Sequence, residues 1–311
     1  IDMKKISIVT PTFNEEANIE KLCDEIKKEF AKLDYDYEHI IIDNNSTDKT
    51  ISKLRNITSI DKKVKVIINS KNYGHIKSPF YGILQSTGDA CILMVSDFQE
   101  PIDLIPQYIK KWESGAKIVL GEKETSEENS SMFFLRKLFY SFLNKISETK
   151  LSTNTTGTGL FDKEVISRLK MISDPYPYFR GLISEIGFEI ETVKFYQPLR
   201  KLGITKNNFF TLYDLAMLGI VKHSRMPLRF MTLIGFIASF GCFLVATVYF
   251  FLKIFFWDSF SLGSAPTIIG IFAISSIQIM LLGLVGEYIG IILLHQRNMP
   301  LVIEKERINF D

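Results

Sequence analysis

Two long apolar runs constrain this chain more than any other feature. Residues 230–252 contain no charged side chain, and residues 266–294 contain one, Glu287. Each exceeds the roughly 20 apolar residues that cross the hydrocarbon core of a bilayer. Lys222, Arg225 and Arg229 precede the first run, and Arg297, Lys305 and Arg307 follow the second. The connection from Lys253 to Ala265 carries only Lys253 and Asp258. This asymmetry predicts two membrane helices with both long ends cytoplasmic and the connection outside. The expected location is the plasma (inner) membrane, multi-pass, with the main domain on the cytoplasmic side. The two helices are also a candidate surface for homo-oligomers.

The chain then divides into a cytoplasmic domain over 1–208, an interfacial segment over 209–228, the membrane region over 229–294 and a cytoplasmic tail over 295–311. In the interfacial segment, apolar residues fall at 209, 212, 213, 216, 217 and 220, the spacing of an amphipathic helix. Such a helix either packs on the domain or lies in the membrane interface, and its place directly before a span favours the interface.

Residues 5–120 alternate short β-branched runs with helical patterns. Strands are predicted at Ile6–Val9, His39–Ile42, Val64–Ile68, Cys91–Val95 and Lys117–Leu120. Between the first two, Ile19, Leu22, Cys23, Ile26 and Phe30 recur at helical spacing. The alternation predicts an α/β fold, a mostly parallel sheet with helices on both faces. The net charge of +2 is too small to imply a nucleic-acid partner. Cys23, Cys91 and Cys242 fit no metal or disulfide spacing and read as reduced structural residues.

In an open α/β sheet, ligands bind at the carboxyl ends of the strands. Here the strands are followed by Pro11-Thr-Phe-Asn-Glu15, Asp43-Asn-Asn-Ser-Thr-Asp48, Asn69-Ser-Lys-Asn-Tyr-Gly-His75 and Ser96-Asp-Phe-Gln-Glu-Pro101. Each has a plain alternative. Asp48 reads equally well as a helix cap, His75 as a satisfied loop histidine, and Asp97 as the N-cap of a helix from Ile102. Taken together at one edge they make a polar crevice that suits a nucleotide and a hard cation. Residues 122–131 are polar and aperiodic, a solvated loop or a lid over the site.

The runs Val9-Thr-Pro-Thr-Phe-Asn-Glu-Glu16, Asp43-Asn-Asn-Ser-Thr-Asp-Lys-Thr50 and Ser96-Asp-Phe-Gln-Glu-Pro101 resemble family 2 glycosyltransferases, which have the GT-A fold. Within that family the chain resembles the polyprenyl-phosphate group. Arg200-Lys-Leu-Gly-Ile-Thr-Lys206 is similar to that group's Arg-x-x-Gly-x-Ser-Lys, and Gly286-Glu-Tyr-Ile-Gly290 is a further match. The resemblance implies inverting transfer of one sugar from a UDP- or GDP-sugar to a polyprenyl phosphate, undecaprenyl phosphate being the expected acceptor. Pro11, Thr12, Glu15 and Asp43 would hold the nucleoside, with His75, Ser96 and Lys123 beside them. Asp97 and Gln99 would bind Mg²⁺ or Mn²⁺, and Arg200 and Lys206 would meet phosphate at the membrane side.

The sequence departs from the group twice. Val95 stands where an Asp-x-Asp metal loop has its first Asp, and Thr156-Gly-Thr-Gly159 stands where Gly-Asp-Phe-Arg is usual. Three rivals follow. A processive polysaccharide synthase needs a Gln-x-x-Arg-Trp motif, but Trp occurs only at 112 and 257, in neither case after such a pattern. A non-catalytic scaffold with a degenerate metal loop is the second. A nucleotidyltransferase on the same type of sheet is the third.

Overall fold

The computed structural model describes residues 3–123, 155–196, 264–296 and 299–310, with scattered positions between 233 and 255. The chain forms two compact units. One comprises 1–145, 149–215 and 299–311, and the other 146–148 and 216–298.

The first unit is built on an eight-stranded sheet. In chain order its elements are β1 (Lys5–Thr12), α1 (Ile19–Phe30), β2 (Asp36–Asp43), α2 (Thr50–Ile60), β3 (Val64–Asn69), α3 (Gly74–Leu84), β4 (Ala90–Leu93), α4 (Leu104–Glu113), β5 (Ile118–Lys123), β6 (Thr155–Asp162), α5 (Lys163–Lys170), α6 (Phe179–Ile186), β7 (Ile190–Phe195) and β8 (Glu304–Ile308). The strand order is β7-β5-β6-β4-β1-β2-β3-β8. The pairs β1–β2, β1–β4, β2–β3 and β5–β7 are parallel. The pairs β3–β8, β4–β6 and β5–β6 are antiparallel. All five strands expected from the β-branched runs are present, in a sheet that is mostly parallel but mixed. β4 stops at Leu93, short of the expected Val95. Glu122 and Lys123, read from sequence as the start of a loop, end β5. Residues 124–131 lie outside the described residues.

The strands sort their side chains by the period of two that a pleated sheet imposes. Ile6, Ile8, Ile41, Val66, Ile68 and Ile92 enter one core with α1, α2 and α4. Val9, Ile40, Ile42, Ile67, Cys91 and Leu93 enter the other with α3, α5 and α6. Each fully buried Ile or Leu contributes roughly 1.5–3 kcal/mol, so a one-residue slip of any central strand would be prohibitive. The five residues read as the helix stripe, Ile19, Leu22, Cys23, Ile26 and Phe30, are the buried face of α1. Burial raises the thiol pKa of both Cys23 and Cys91 to about 12, so they are inert structural residues.

The last residues overturn the expected tail. β8 pairs with β3 at the sheet edge, from Asn69↔Glu304 to Val66↔Ile308. Val302 is buried, and Asn309 Nδ2 donates to the carbonyls of Thr58 and Val64, both at 2.9 Å. Tyr81 donates to Glu304 at 2.8 Å, and Arg307 donates to Gln85 at 2.9 Å. The expected main domain over 1–208 is thus completed by residues 299–311. A charged strand such as Glu-Lys-Glu-Arg-Ile tolerates this place because an edge strand keeps one side and one face in water.

In the second unit, α7 (Ser264–Gln296) is one continuous helix of 33 residues. Counting described residues alone, no helix is long and apolar enough to cross a membrane. The first apolar run lies largely outside the described residues, as does the expected interfacial helix over 209–228.

Candidate active site

The strand directions bring the carboxyl ends of β1, β2, β3, β4, β5 and β7 to one edge of the sheet, with the amino end of β6 among them. The loops there are stitched to one another. Asn14 N donates to Ser46 Oγ at 2.8 Å, and Thr47 N donates to Asn14 Oδ1 at 2.8 Å. Glu15 N donates to Thr50 Oγ1 at 2.9 Å, and Lys49 N donates to Glu16 Oε2 at 2.9 Å. Ser96 Oγ donates to Pro11 O at 3.3 Å, tying the loop after β4 to the end of β1. Three non-glycine residues adopt positive φ at this edge: Asn14 (56°), Asn45 (61°) and Phe98 (56°). Such residues cost of order 1–3 kcal/mol each and cluster at functional sites.

Of the expected nucleoside residues, Thr12 and Asp43 lie in contact. Thr12 Oγ1 donates to Asp43 Oδ2 at 3.3 Å, and Ser46 N donates to Asp43 Oδ1 at 2.8 Å. Asp43 is fully buried, and this raises its pKa against the hydrogen bonds from Ser46 and Thr12. Its carboxylate braces the turn after β2. Glu15 is buried at the start of α1, where its Oε2 accepts from Asn18 Nδ2 at 2.8 Å. Asp48 accepts from Thr50 N at 2.9 Å just ahead of α2, whose N-cap is Lys49 and not Asp48. Burial opposes ionisation of Asp48, but the hydrogen bonds from Thr50 and Glu16 outweigh it and lower its pKa.

His75 sits exposed in the first turn of α3. Asn44 holds that turn. Its Oδ1 accepts from Asn69 Nδ2 at 3.0 Å, from Tyr73 N at 3.2 Å and from Ser78 Oγ, and its Nδ2 donates to Gly74 O at 3.4 Å. In the sequence Asn44 is one residue of the Asp43–Asp48 run, with nothing but its place directly after a strand to mark its role. A buried amide directly after a strand was the available signal.

Asp97 does not cap a helix, because α4 begins at Leu104 with Asp103 at its N-cap. Asp97 is half-buried in the loop after β4, and its Oδ1 accepts from Gln99 N at 3.2 Å. The next residue, Glu100, is 5% exposed and accepts from Thr158 Oγ1. Burial raises its pKa to about 7, against the hydrogen bonds from Thr158 and Thr156 and the charge of Lys123, while Asp97 adds to the rise. Lys123, at the end of β5, therefore acts on the same group as Asp97. Glu100 was also missed from sequence, where it was only a letter between Gln99 and Pro101. Arg200 and Lys206 lie outside the described residues.

The profile of the family described as Glycosyl transferase family 2 matches residues 7–170, which spans β1 through α5 and so every loop above. The chain belongs to glycosyltransferase family 2. Its mixed sheet, with helices on both faces and polar loops along one edge, is the GT-A-like arrangement of this enzyme class. Among family members, a "Bactoprenol glucosyl transferase" of Shigella phage SfX is 32% identical over 307 residues, covering 97% of this chain and 99% of that one. A "Prophage bactoprenol glucosyl transferase homolog" of Escherichia coli (strain K12) is 31% identical over 305 residues, covering 97% and 98%. An "Uncharacterized glycosyltransferase YkcC" of Bacillus subtilis (strain 168) is 30% identical over 300 residues, covering 96% of this chain and 92% of that one.

Proposed function

We propose that this glycosyltransferase moves a single sugar from a nucleotide sugar to a polyprenyl phosphate at the cytoplasmic face of the inner membrane, with inversion at the anomeric carbon. The observation that carries this reading is the similarity to a bactoprenol glucosyl transferase along 97% of the chain. That span includes the apolar third as well as the catalytic sheet.

A membrane-embedded second unit agrees with several observations. At about 1.5 Å per residue, α7 is roughly 50 Å long, against a hydrocarbon core of about 30 Å. Its described apolar residues include Ile271, Leu282, Ile289, Ile292 and Leu293, all at least 57% exposed. In water that exposure would be costly, and in lipid it is favourable. β8 adds a topological constraint. Residues 304–308 share a sheet with residues 5–123, so a second unit embedded in the bilayer requires the chain between to cross it an even number of times. Two spans with both ends cytoplasmic satisfy this and the Lys/Arg asymmetry together.

The donor set suits a hard divalent cation. Asp97 supplies a carboxylate and Gln99 an amide oxygen, while Val95 withholds a second carboxylate. Among the described residues, no three His, Cys, Asp or Glu side chains form a closed cage. Mg²⁺ and Mn²⁺ are commonly held by one or two carboxylates and completed by substrate phosphates. Asp97 and Gln99 would hold the ion, which when bound neutralises charge on the departing diphosphate.

The protein's own groups do the remainder. Pro11, Thr12, Glu15 and Asp43 shape the wall for the nucleoside, and Asn44 sets the turn carrying His75. Lys123 is a cation on the same side as Asp97. The acceptor phosphate monoester has a second pKa near ~6 and is mostly dianionic at neutral pH. It attacks without a strong general base, so the residues at Thr156–Gly159 need not supply one. Arg200 and Lys206 are assigned to the acceptor phosphate, which a guanidinium can grip with two parallel hydrogen bonds. The test is a panel of radiolabelled nucleotide sugars with undecaprenyl phosphate, scored by label in the organic extract. Hydrolysis of a donor with no lipid-soluble product would overturn the acceptor assignment.

A further inference from the structure

Glu100 is a buried carboxyl beside the metal loop that the proposed reaction does not use. Its Oε1 accepts from Thr158 Oγ1 on β6. Thr158 Oγ1 lies 2.6 Å from Thr156 Oγ1, and with the Thr158 proton given to Glu100 the single Thr156 hydroxyl proton is shared between Thr158 Oγ1 and Gly121 O of β5, 3.2 Å away. The relay thus runs from the loop carrying Asp97 and Gln99, across β6, to the strand that ends in Lys123.

The relay fills a gap in the backbone ladder. The β5–β6 register shifts between Leu120 and Glu122, leaving Gly121 without a β6 partner. The Thr156 hydroxyl satisfies the Gly121 carbonyl there. A Cβ at Gly121 would stand 2.9 Å from Thr156 Oγ1 and 2.8 Å from Tyr108 Oη, so the relay also needs a bare backbone at that point.

Stability does not account for this arrangement. Among the described residues, Glu100 Oε2 is buried without a hydrogen-bond partner, and so is Tyr108 Oη on α4. An unsatisfied buried polar group costs about 1–3 kcal/mol, and apolar residues of similar volume would pack here at lower cost. What the carboxyl does supply is a directional link between two parts of the site that the sheet alone leaves unconnected.

We propose that Glu100 is a positioning residue: through Thr158 and Thr156 it anchors the Asp97–Gln99 loop to β5 and β6, and so sets the place of the cation ligands relative to Lys123. This rests on the transfer reaction proposed above. It also assigns a use to the Thr156-Gly-Thr-Gly159 departure. Two hydroxyls on β6 receive the loop's acid, where the family pattern has charged residues.

The test uses the full chain in detergent with UDP-glucose, Mn²⁺ and undecaprenyl phosphate, beside calorimetry of Mn²⁺ binding in the presence of UDP. Thr158→Val keeps the shape and removes the donor. It is expected to lower kcat about tenfold or more, and to raise the Mn²⁺ concentration for half-maximal rate and the Mn²⁺ Kd together. Thr158→Ser restores the hydroxyl and should return all three to within about twofold. Glu100→Ala should match Thr158→Val, and the double variant should be no worse than either, because both break one link. If Thr158→Val and Glu100→Ala lower the melting temperature but leave kcat and Mn²⁺ affinity unchanged, the relay is structural only and the proposal fails. If the wild type binds Mn²⁺ and UDP but transfers no sugar to the lipid, the function proposed above is wrong, and the Mn²⁺ affinities still decide the role of Glu100.

Discussion

Glu38 offers a stability measurement that the structure makes quantitative. It lies in the first half of β2 and is 1% exposed. Its carboxylate accepts from Ser7 Oγ at 2.6 Å and from Thr87 N at 2.9 Å, and it pairs with Lys5 at 3.0 Å and Lys65 at 2.8 Å. Burial alone would raise its pKa, but the hydrogen bonds from Lys65, Ser7 and Thr87 outweigh burial and lower it from 4.5 to about 2. That difference corresponds to about 3 kcal/mol of folding stability at neutral pH. The folded state binds this proton less tightly than the unfolded state. The contribution is therefore complete above pH 4.5 and is lost as pH falls towards 2. Glu38→Gln keeps the shape and removes the charge. At pH 7 the variant should melt roughly 6–12 °C below the wild type, a span set by the entropy of unfolding a domain of this size. The gap should narrow in scanning calorimetry as pH is lowered from 5 to 3. Glu38 precedes Asp43 by five strand residues, roughly 16 Å from the loop edge, so transfer at a temperature where both proteins are folded should be unchanged. A gap under about 2 °C at pH 7, or one constant down to pH 3, would refute the linkage argument.

Asp97→Asn should reduce transfer about 10²-fold or more at saturating Mn²⁺, with Gln99→Ala less damaging because a neutral amide contributes less than a carboxylate; near wild-type turnover of Asp97→Asn would remove it from the cation site. A cysteine at Ser261 should react with an impermeant thiol reagent in intact cells, whereas one at Lys305, on the exposed face of β8, should react only after lysis; the reverse pattern would overturn the cytoplasmic orientation of the catalytic sheet. Gly159→Ala should be among the most destabilising single changes, about 4 kcal/mol or more, because φ is +152° and a Cβ would meet the Val119 carbonyl oxygen at 2.1 Å; a melting temperature within 2–3 °C of wild type would show that the β5–β6 contact relaxes at little cost.

Much of the catalytic half was legible because its signals are local. Ile40, Ile41 and Ile42 announce a strand buried on both faces, and the α1 stripe announces its own buried side. A polar cluster after each of several parallel strands then reads as one edge, since chain direction alone puts those ends together. Even so, the sequence could not tell a ligand from a brace. Asp43, expected at the nucleoside, also braces the turn after β2, with Ser46 and Thr12 on its oxygens, and its residue type alone does not reveal that second role. Asp48 and Asp97 each read as a possible helix cap, yet the N-caps of α2 and α4 are Lys49 and Asp103.

By itself, then, the sequence determined the alternating α/β order, the buried face of α1, the family, and the two apolar runs. Only the tertiary structure decided which distant segments complete the sheet and the site. β8 joins β3 across more than 230 residues, and its Glu-Lys-Glu-Arg-Ile run carries almost no hydrophobic signal, because an edge strand is chosen by free backbone donors and acceptors rather than by apolar period. β6 is not among the strands that the β-branched runs predict; Gly157 and Gly159 interrupt its pattern, and the close approach to Val119 shows why a side chain is excluded at 159. Glu100 and Thr158 are 58 residues apart. Periodicity reports which face of an element is buried, and it carries no record of the partner waiting there.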